Sequence, residues 1–212
     1  MPRRWSLYLM LGIAGLLAAC GDALTPTDPL GFSAQMSAPS NAQIETNMVR
    51  QGTTDSLTML SATFWAVRGE DREAIITYTD PNVAPAKFLR LRIRKKGLAA
   101  YPDGTPFTEG DSVLVSVTVD PERFLVQLEP SGLQFDPDDL PQMKIWYGKA
   151  DHDFNGDGVI DAADENIRVG QLSVFFQPTD GASWNPQGAE HDTVRELFEV
   201  RLQHFSNYAV SW

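Results

Sequence analysis

Cysteine is nearly absent from this chain, since Cys20 is the only one among 212 residues. One cysteine cannot build a disulfide framework, and it excludes zinc and iron–sulfur sites that need several thiolates. Basic residues are also scarce: 17 lysines and arginines stand against 28 aspartates and glutamates, for a formal net charge of −11. Because nucleic-acid binding needs a basic surface that displaces counterions from phosphates, we expect no nucleic-acid partner.

The common catalytic motifs are missing as well. The sequence contains no G-x-S-x-G nucleophile turn, no H-E-x-x-H zinc helix and no glycine-rich phosphate loop. The three histidines, at 152, 191 and 204, lie far apart and in no metal-binding spacing. We therefore predict that the protein is not an enzyme. A secreted hydrolase whose site has no recognisable motif is the remaining catalytic alternative.

Residues 1–19 have the features of an export signal. Arg3 and Arg4 precede an uncharged, largely apolar run from Trp5 to Ala19. At about 15 residues this run is shorter than the roughly 20 that a membrane-spanning helix needs. It ends in Leu17-Ala18-Ala19-Cys20, which resembles the lipobox of bacterial lipoproteins.

The lipobox resemblance implies that the signal is removed before Cys20 and that its thiol receives a diacylglycerol. Two or more acyl chains hold a protein stably at a membrane, since each buried methylene contributes about 0.8 kcal/mol. Lipoproteins of this kind with Asp directly after the cysteine tend to stay in the inner membrane, and here that position is Gly21. We expect an exported, lipid-anchored protein, in the outer membrane rather than the inner. The alternative is an ordinary signal with a spare cysteine.

The remaining chain divides by composition into two parts. Residues 20–58 are rich in Pro, Thr, Ser, Asn and Gln without a sustained apolar period, which predicts a flexible tether. Residues 59–212 repeatedly alternate apolar and polar positions, with turn sequences between the runs. Examples of the alternation are Leu89, Leu91 and Ile93; Met143, Ile145 and Tyr147; and Tyr208, Val210 and Trp212. We predict an all-β fold, an antiparallel β-sandwich of about eight short strands.

Two segments of this second part resemble β-sandwiches of the ZU type, known from ankyrins and netrin receptors. One runs from Leu128 to Tyr147 and contains P-S-G-L-Q-F, L-P and I-W-Y; the other is the ending H-F-S-N-Y-A-V from His204 to Val210. The resemblance covers roughly residues 60–212 and implies an interaction module without catalytic residues. Residues 148–170 depart from the pattern as an insertion.

The insertion contains an acidic run from Asp151 to Glu165, D-H-D-F-N-G-D-G-V-I-D-A-A-D-E. An EF-hand calcium loop takes oxygen ligands from positions 1, 3, 5, 7, 9 and 12 and needs glycine at position 6. With Asp153 at position 1, Gly158 falls at position 6, and Ile160 is expected to pack at position 8. The predicted ligands are Asp153, Asn155, Asp157, the main-chain oxygen of Val159, Asp161 and Asp164. A register that starts at Asp151 fails, because it places Ala162 last.

Asp at position 12 makes the loop resemble that of dockerins, which bind cohesins. A dockerin has two such loops on paired helices, whereas this chain has one, preceded by strand-like Met143–Tyr147 and followed by a short helical turn from Ala162 to Arg168. The resemblance therefore implies the calcium ligands, but not cohesin binding. The alternative is a solvated acidic turn, since Asn-Gly and Asp-Gly favour turns in any protein.

The function that these features favour is a membrane-anchored, calcium-stabilised β-sandwich lipoprotein, a non-catalytic binding or structural module of the cell envelope with an envelope protein or glycan as partner. The alternative is a carbohydrate-binding or dockerin-like accessory module of a polysaccharide-degrading system. Its ligand platform would be Trp184, in a polar segment, although packing over the end of the sandwich is the other fate of this ring.

Two further features have both a structural and a binding interpretation. The basic stripe of Arg90, Arg92, Arg94, Lys95 and Lys96 could contact anionic lipid or acidic polysaccharide, or it is the solvated side of a strand. Trp146 is out of phase with the apolar positions beside it, so it faces either the second sheet or solvent.

Overall fold

The computed structural model describes residues 38–79 and 85–212. The predicted export signal, the lipidation site Cys20 and the first part of the predicted tether therefore lie outside the described residues. Within the described ranges, no helix has both the length and the apolar character needed to cross a membrane.

The described residues form mainly strands, as the alternating pattern predicts. The strands are β1 Ser56–Leu57, β2 Ser61–Val67, β3 Arg72–Thr79, β4 Lys87–Ile93, β5 Leu98–Ala100, β6 Ser112–Val119, β7 Leu125–Glu129, β8 Gln134–Phe135, β9 Gln142–Trp146, β10 Ser173–Gln177, β11 Asn185–Gln187, β12 Ala189–Asp192, β13 Leu197–Arg201 and β14 Asn207–Ser211. The helices are α1 Asn41–Thr46 and α2 Ala162–Gly170. Each long alternating run of the sequence corresponds to one strand.

Most strands belong to two antiparallel sheets of six strands each. The first sheet has the order β1-β3-β4-β9-β13-β12, and the second has the order β11-β10-β14-β7-β6-β2. Strands β5 and β8 form a separate antiparallel pair. The arrangement agrees with the predicted antiparallel β-sandwich, but the described residues contain 14 strands and not about eight, because several two- to four-residue strands have no alternating pattern of their own.

The core lies between the two sheets and follows from the two-residue period of the strands. In β4, Leu89 and Leu91 are fully buried while Arg90 between them is only partly so. In β6 of the opposite sheet, Val115 and Val117 are fully buried. Side chains from both sheets join one continuous apolar cluster. Because each buried Val or Leu side chain contributes about 1.5–3 kcal/mol, this cluster is the main source of stability.

The folded unit begins at Ala38, inside the segment that the composition assigns to the tether. Ser40 is the N-cap residue of α1: its hydroxyl accepts the Gln43 backbone N–H at 3.3 Å, while the Gln43 side chain accepts the Ser40 N–H at 2.9 Å. The one fully buried side chain of the helix, Ile44, packs on the second sheet. The predicted tether is therefore too long at its C-terminal end. A six-residue helix is too short to show a helical period in the sequence.

Candidate functional site

The acidic loop connects β9 of the first sheet with α2 and then β10 of the second. Its base is fastened to the segment that follows α1. The backbone N–H of Asp151 donates to the Arg50 oxygen at 3.0 Å, and the N–H of Gly52 donates to the Lys149 oxygen at 3.0 Å. The loop is therefore held at its base by main-chain bonds that do not involve its acidic side chains.

The first half of the loop curls around the carboxylate of Asp153. One oxygen of this carboxylate accepts the N–H groups of Gly156 at 2.9 Å and Asp157 at 3.1 Å, and the other accepts that of Gly158 at 2.8 Å. Gly158 has a φ of 87°, a conformation that side chains other than glycine rarely adopt. Glycine at this place and a tight curl around the first aspartate are what a twelve-residue calcium loop requires.

The next two polar side chains fold back on the backbone in the same way. The Asn155 side-chain oxygen accepts the Asp157 N–H at 2.9 Å, and an Asp157 carboxylate oxygen accepts the Val159 N–H at 2.9 Å. The amide nitrogen of Asn155 also donates to the second Asp157 oxygen at 3.2 Å. The side chains at the predicted positions 1, 3 and 5 thus occupy successive turns of the loop.

The second half of the loop ends in the capped start of α2. Asp161 is the N-cap residue, and its carboxylate accepts the Ala163 N–H at 2.7 Å. Asp164 reciprocates by accepting the Asp161 N–H at 3.0 Å, which completes a capping box. The other oxygen of Asp164 accepts the Asn155 N–H at 3.1 Å, across the loop. One carboxylate therefore joins both halves of the loop.

Asp164 is 2% exposed, yet it is held in the ionised form. Hydrogen bonds from the N–H groups of Asp161 and Asn155 lower the pKa of this carboxyl below its usual value. Its position at the N-terminus of α2 also favours a negative charge. The loop consequently encloses a fixed anionic charge at neutral pH.

Two expectations for the loop have opposite outcomes. The predicted helical turn after the loop is confirmed, and it extends to Gly170 as α2. The predicted packing of Ile160 is wrong, because this side chain is 68% exposed and its neighbour Val159 is 58% exposed. The acidic loop is the only one of its sequence type in the described part of the chain, so no second loop of that type covers this side chain.

The fit of the loop to calcium depends on the type of its donor atoms and on their placement. All six predicted ligands offer oxygen atoms, which suit calcium or magnesium better than zinc. In the described ranges, no three His, Cys, Asp or Glu side chains converge on a common metal position. The carboxylates of Asp153 and Asp164 are directed at backbone N–H groups. The residues fit calcium in type, order and loop curl, and their role as ligands stays a prediction.

A polar network that the sequence patterns did not indicate holds α2 against the first sheet. Arg168 makes two bonds of 2.7 Å to Glu165 and donates to the main-chain oxygen of Thr193 at 2.7 Å. Glu196 lies 3.9 Å from Arg168 and 3.7 Å from His152, so it lies between helix and loop. Glu165 is one helical turn from Arg168, whereas Thr193 and Glu196 are distant in sequence and only the fold brings them to it.

Trp184 does not present its ring to solvent. It is 8% exposed and packs with Ile44 of α1 in a second apolar cluster. Its indole N–H donates to Glu45 at 3.3 Å, and its backbone N–H donates to Asn41 at 2.9 Å. Trp184 therefore packs inside the fold, as one of the two interpretations of its position proposed. The ring face that a ligand platform requires is covered.

The basic stripe is largely paired with acidic side chains. Arg90 contacts Glu73 at 2.9 Å, and Arg92 forms an ion pair with Asp71. Arg94 lies 3.5 Å from Asp139. These pairs support the interpretation of the stripe as the solvated face of the first sheet.

Comparisons of the chain with known protein families, with curated proteins and with solved structures found no match.

Proposed function

We propose that the chain is a membrane-anchored, calcium-stabilised β-sandwich lipoprotein that acts as a non-catalytic binding or structural module of the cell envelope. The observation that supports the calcium role best is the curl of residues 153–158 around the Asp153 carboxylate, followed by a helix capped by Asp161 and Asp164. The anchoring role rests on the sequence of residues 1–20, above all on Cys20.

Calcium would act on the loop by charge compensation. The carboxylates at 153, 157, 161 and 164 lie on a short stretch of chain and repel one another at neutral pH. Extracellular calcium modules bind at about 10⁻⁴–10⁻³ M, near the calcium concentration outside cells. The loop would therefore be occupied continuously and would brace the connection between the two sheets.

Thermal unfolding of residues 23–212 in millimolar calcium and in chelator tests this role. At ten to a hundred times the dissociation constant, calcium should stabilise the fold by about 1.4–2.7 kcal/mol, a rise in Tm of about 3–10 °C. Asp157→Ala should abolish the calcium-dependent part of this rise. The matched control Asp138→Ala, an exposed aspartate outside the loop, should keep it. Identical melts of the wild type with and without calcium would leave an acidic turn and overturn the proposal.

The anchoring role has its own test in cells. The full chain should incorporate radiolabelled palmitate and sediment with membranes. Cys20→Ala should lose the label and appear in the soluble exported fraction. A wild-type chain that takes up no label would instead have an ordinary signal with a spare cysteine.

A carbohydrate-binding or dockerin-like accessory module is the second candidate. Its predicted platform, Trp184, is covered by α1. A different tryptophan, Trp146, is partly exposed on the outer face of the first sheet with Lys87 above its ring. A partly exposed indole of this kind favours a glycan-binding role as the second candidate.

A further inference from the structure

A depression of about 290 Å³ lies on the outer face of the first sheet, where β9 ends. Its lining residues are Ala86, Lys87, Trp146, Gly148, Lys149 and Arg195. Three of these side chains are cationic and none is acidic, although the whole chain has a net charge of −11. We name this depression the Trp146 pocket. Its local charge is opposite to that of the protein, which favours an anionic ligand.

Strand alternation places the Trp146 ring in this pocket. Ile145 and Tyr147 on either side are fully buried in the core, so the side chain of Trp146 points to the opposite face of the sheet. Its cross-strand neighbour is Leu197, which is 3% exposed. The indole is therefore held in place by the sheet while part of it remains accessible.

Lys87 is the cation that is best placed to bind a ligand. Its ammonium nitrogen lies 5.5 Å from the centre of the Trp146 ring. Among the described residues it has no acidic partner within ion-pair distance. Lys149, by contrast, is neutralised by Asp55 at 2.9 Å.

Arg195 supplies a second positive charge at the rim. Its guanidinium bonds Asp192 at 2.6 Å, but its side chain is 69% exposed. Exposed ion pairs of this kind are weak, and a ligand carboxylate can replace the partner at little cost. The pocket thus combines an aromatic surface with one unpaired and one exchangeable cation.

We propose that the Trp146 pocket binds a pyranose that carries a carboxylate, as in a uronic acid. The apolar face of a sugar ring stacks on an indole, and its carboxylate pairs with Lys87 or Arg195. A neutral sugar leaves the cations without a function, and a phosphate group alone does not use the aromatic surface. The inference rests on the proposed binding role of the module and does not depend on calcium.

Binding requires Lys87 to change its contact. The cation–π contact at an exposed site is weak, and the lysine stem has several rotatable bonds. The ammonium group can therefore leave the ring and follow the carboxylate while the sugar takes its place on the indole. The volume of the pocket is at the lower end of ligand sites, which suits one or two sugar units.

Calorimetry with trigalacturonate tests the proposal, and cellotriose serves as the neutral probe. A short probe at about 0.15 M salt limits repulsion by the acidic remainder of the protein. Chelator is present so that calcium cannot bridge the uronate to the acidic loop. We expect trigalacturonate to bind and cellotriose to bind at least about tenfold more weakly, which corresponds to about 1.4 kcal/mol.

Two variants should weaken this binding. Trp146→Ala should reduce the affinity for trigalacturonate by about tenfold through loss of the stacking surface. Lys87→Gln should reduce it by about fivefold and flatten its dependence on salt, because an ion pair is lost. Lys87 is exposed, so its replacement leaves the fold intact even if the tryptophan variant unfolds.

The chain offers matched controls for both variants. Trp65 is 57% exposed on β2 of the other sheet, so Trp65→Ala removes an exposed indole elsewhere. Lys144 lies on β9 beside the pocket but is paired with Glu199 at 2.6 Å, so Lys144→Gln removes a lysine that is already neutralised. Both controls should retain wild-type affinity for trigalacturonate.

Several results would overturn the inference. The inference fails if the wild type does not bind trigalacturonate, or binds both sugars equally well. It also fails if Trp146→Ala and Lys87→Gln retain wild-type affinity for trigalacturonate, or if the controls lose as much affinity as these two variants. Binding that appears only when calcium replaces the chelator would assign the sugar to the acidic loop instead. Since calcium stabilisation is measured separately by unfolding, failure of the pocket and failure of the calcium role are distinguishable.

Discussion

The hydroxyl of Ser211 donates a hydrogen bond of 2.8 Å to the main-chain oxygen of Ile44. The two residues are 167 positions apart, and both are at most 1% exposed. The last four carbonyl groups of a helix have no partner within it, and Ile44 contributes one of these in α1. The end of β14 thus satisfies a helix carbonyl that would otherwise be buried unpaired.

This bond predicts that Ser211→Ala destabilises the domain. The variant leaves the Ile44 oxygen buried without a donor, which costs about 1–3 kcal/mol. Urea unfolding at neutral pH measures the change. Thr118→Ala, an exposed position on β6, is the control and should change the free energy of unfolding by less than about 0.5 kcal/mol. Equal stability of the Ser211 variant and the wild type would mean that this hydrogen bond contributes nothing measurable to the stability of the fold.

Truncation of Trp184, which precedes β11, should cost much more stability than truncation of Trp65 on β2. Trp184→Ala should cost about 3–5 kcal/mol, because the ring fills the space between α1 and the sheet. Trp65→Ala should cost little, since its ring is mostly solvated. Unfolding curves of both variants measure the difference. A small effect of Trp184→Ala would show that α1 detaches easily, and the ring would then be available to a ligand.

Asp164 should make the loop sensitive to acid. Its folded pKa is lowered by backbone N–H groups, so its contribution is present above about pH 4, the unfolded value, and is lost as the pH falls through the folded pKa. Asp164→Asn should therefore be less stable than the wild type at pH 7, and the gap should narrow towards pH 3. Urea unfolding at both pH values in chelator measures this. A gap that stays constant across the range would exclude the carboxylate charge as its cause.

His191 should make stability fall between pH 7.5 and 5.5. Its ring lies 2.7 Å from the Tyr147 hydroxyl and stacks on Phe198, and burial lowers its pKa below 6.5. As the pH falls through about 6.5, His191 takes up a proton in the unfolded chain more readily than in the folded chain. This lowers the free energy of the unfolded state relative to the folded state, so stability falls. His191→Gln should reduce this slope, as measured by melts at the two pH values. Burial also lowers the pKa of His204, so this residue should contribute to the pH dependence that remains in the variant.

Features defined by neighbouring residues were predictable from the sequence. The long strands could be predicted, because a strand with one buried face shows a two-residue apolar period in its own sequence. The curl around Asp153 and the start of α2 could also be predicted. Aspartate and asparagine side chains hydrogen-bond to backbone groups within a few residues, and glycine adopts the backbone conformation that such turns need. The predicted calcium ligands are all contained in residues 153–164.

Features defined by distant contacts were not predictable. Trp184 lies in a polar segment, and its burial depends on Glu45 and Asn41, which are 139 and 143 positions away. Ile160 is apolar and is expected to be packed, but it is 68% exposed. Its exposure depends on which other segments lie beside the loop, and the sequence of the loop does not contain this information. The short strands β11 and β12 exist because neighbours pair with them, and their sequences show no alternation that would reveal this.

The place of β14 in the second sheet affects the order of folding. It lies between β10 and β7, so it joins a part built from residues 173–187 to a part built from residues 61–129. Until residues 207–211 have been synthesised, the two parts have no common strand, and pairing must await contacts between distant segments, which form slowly. The second sheet is therefore completed only when β14 is available.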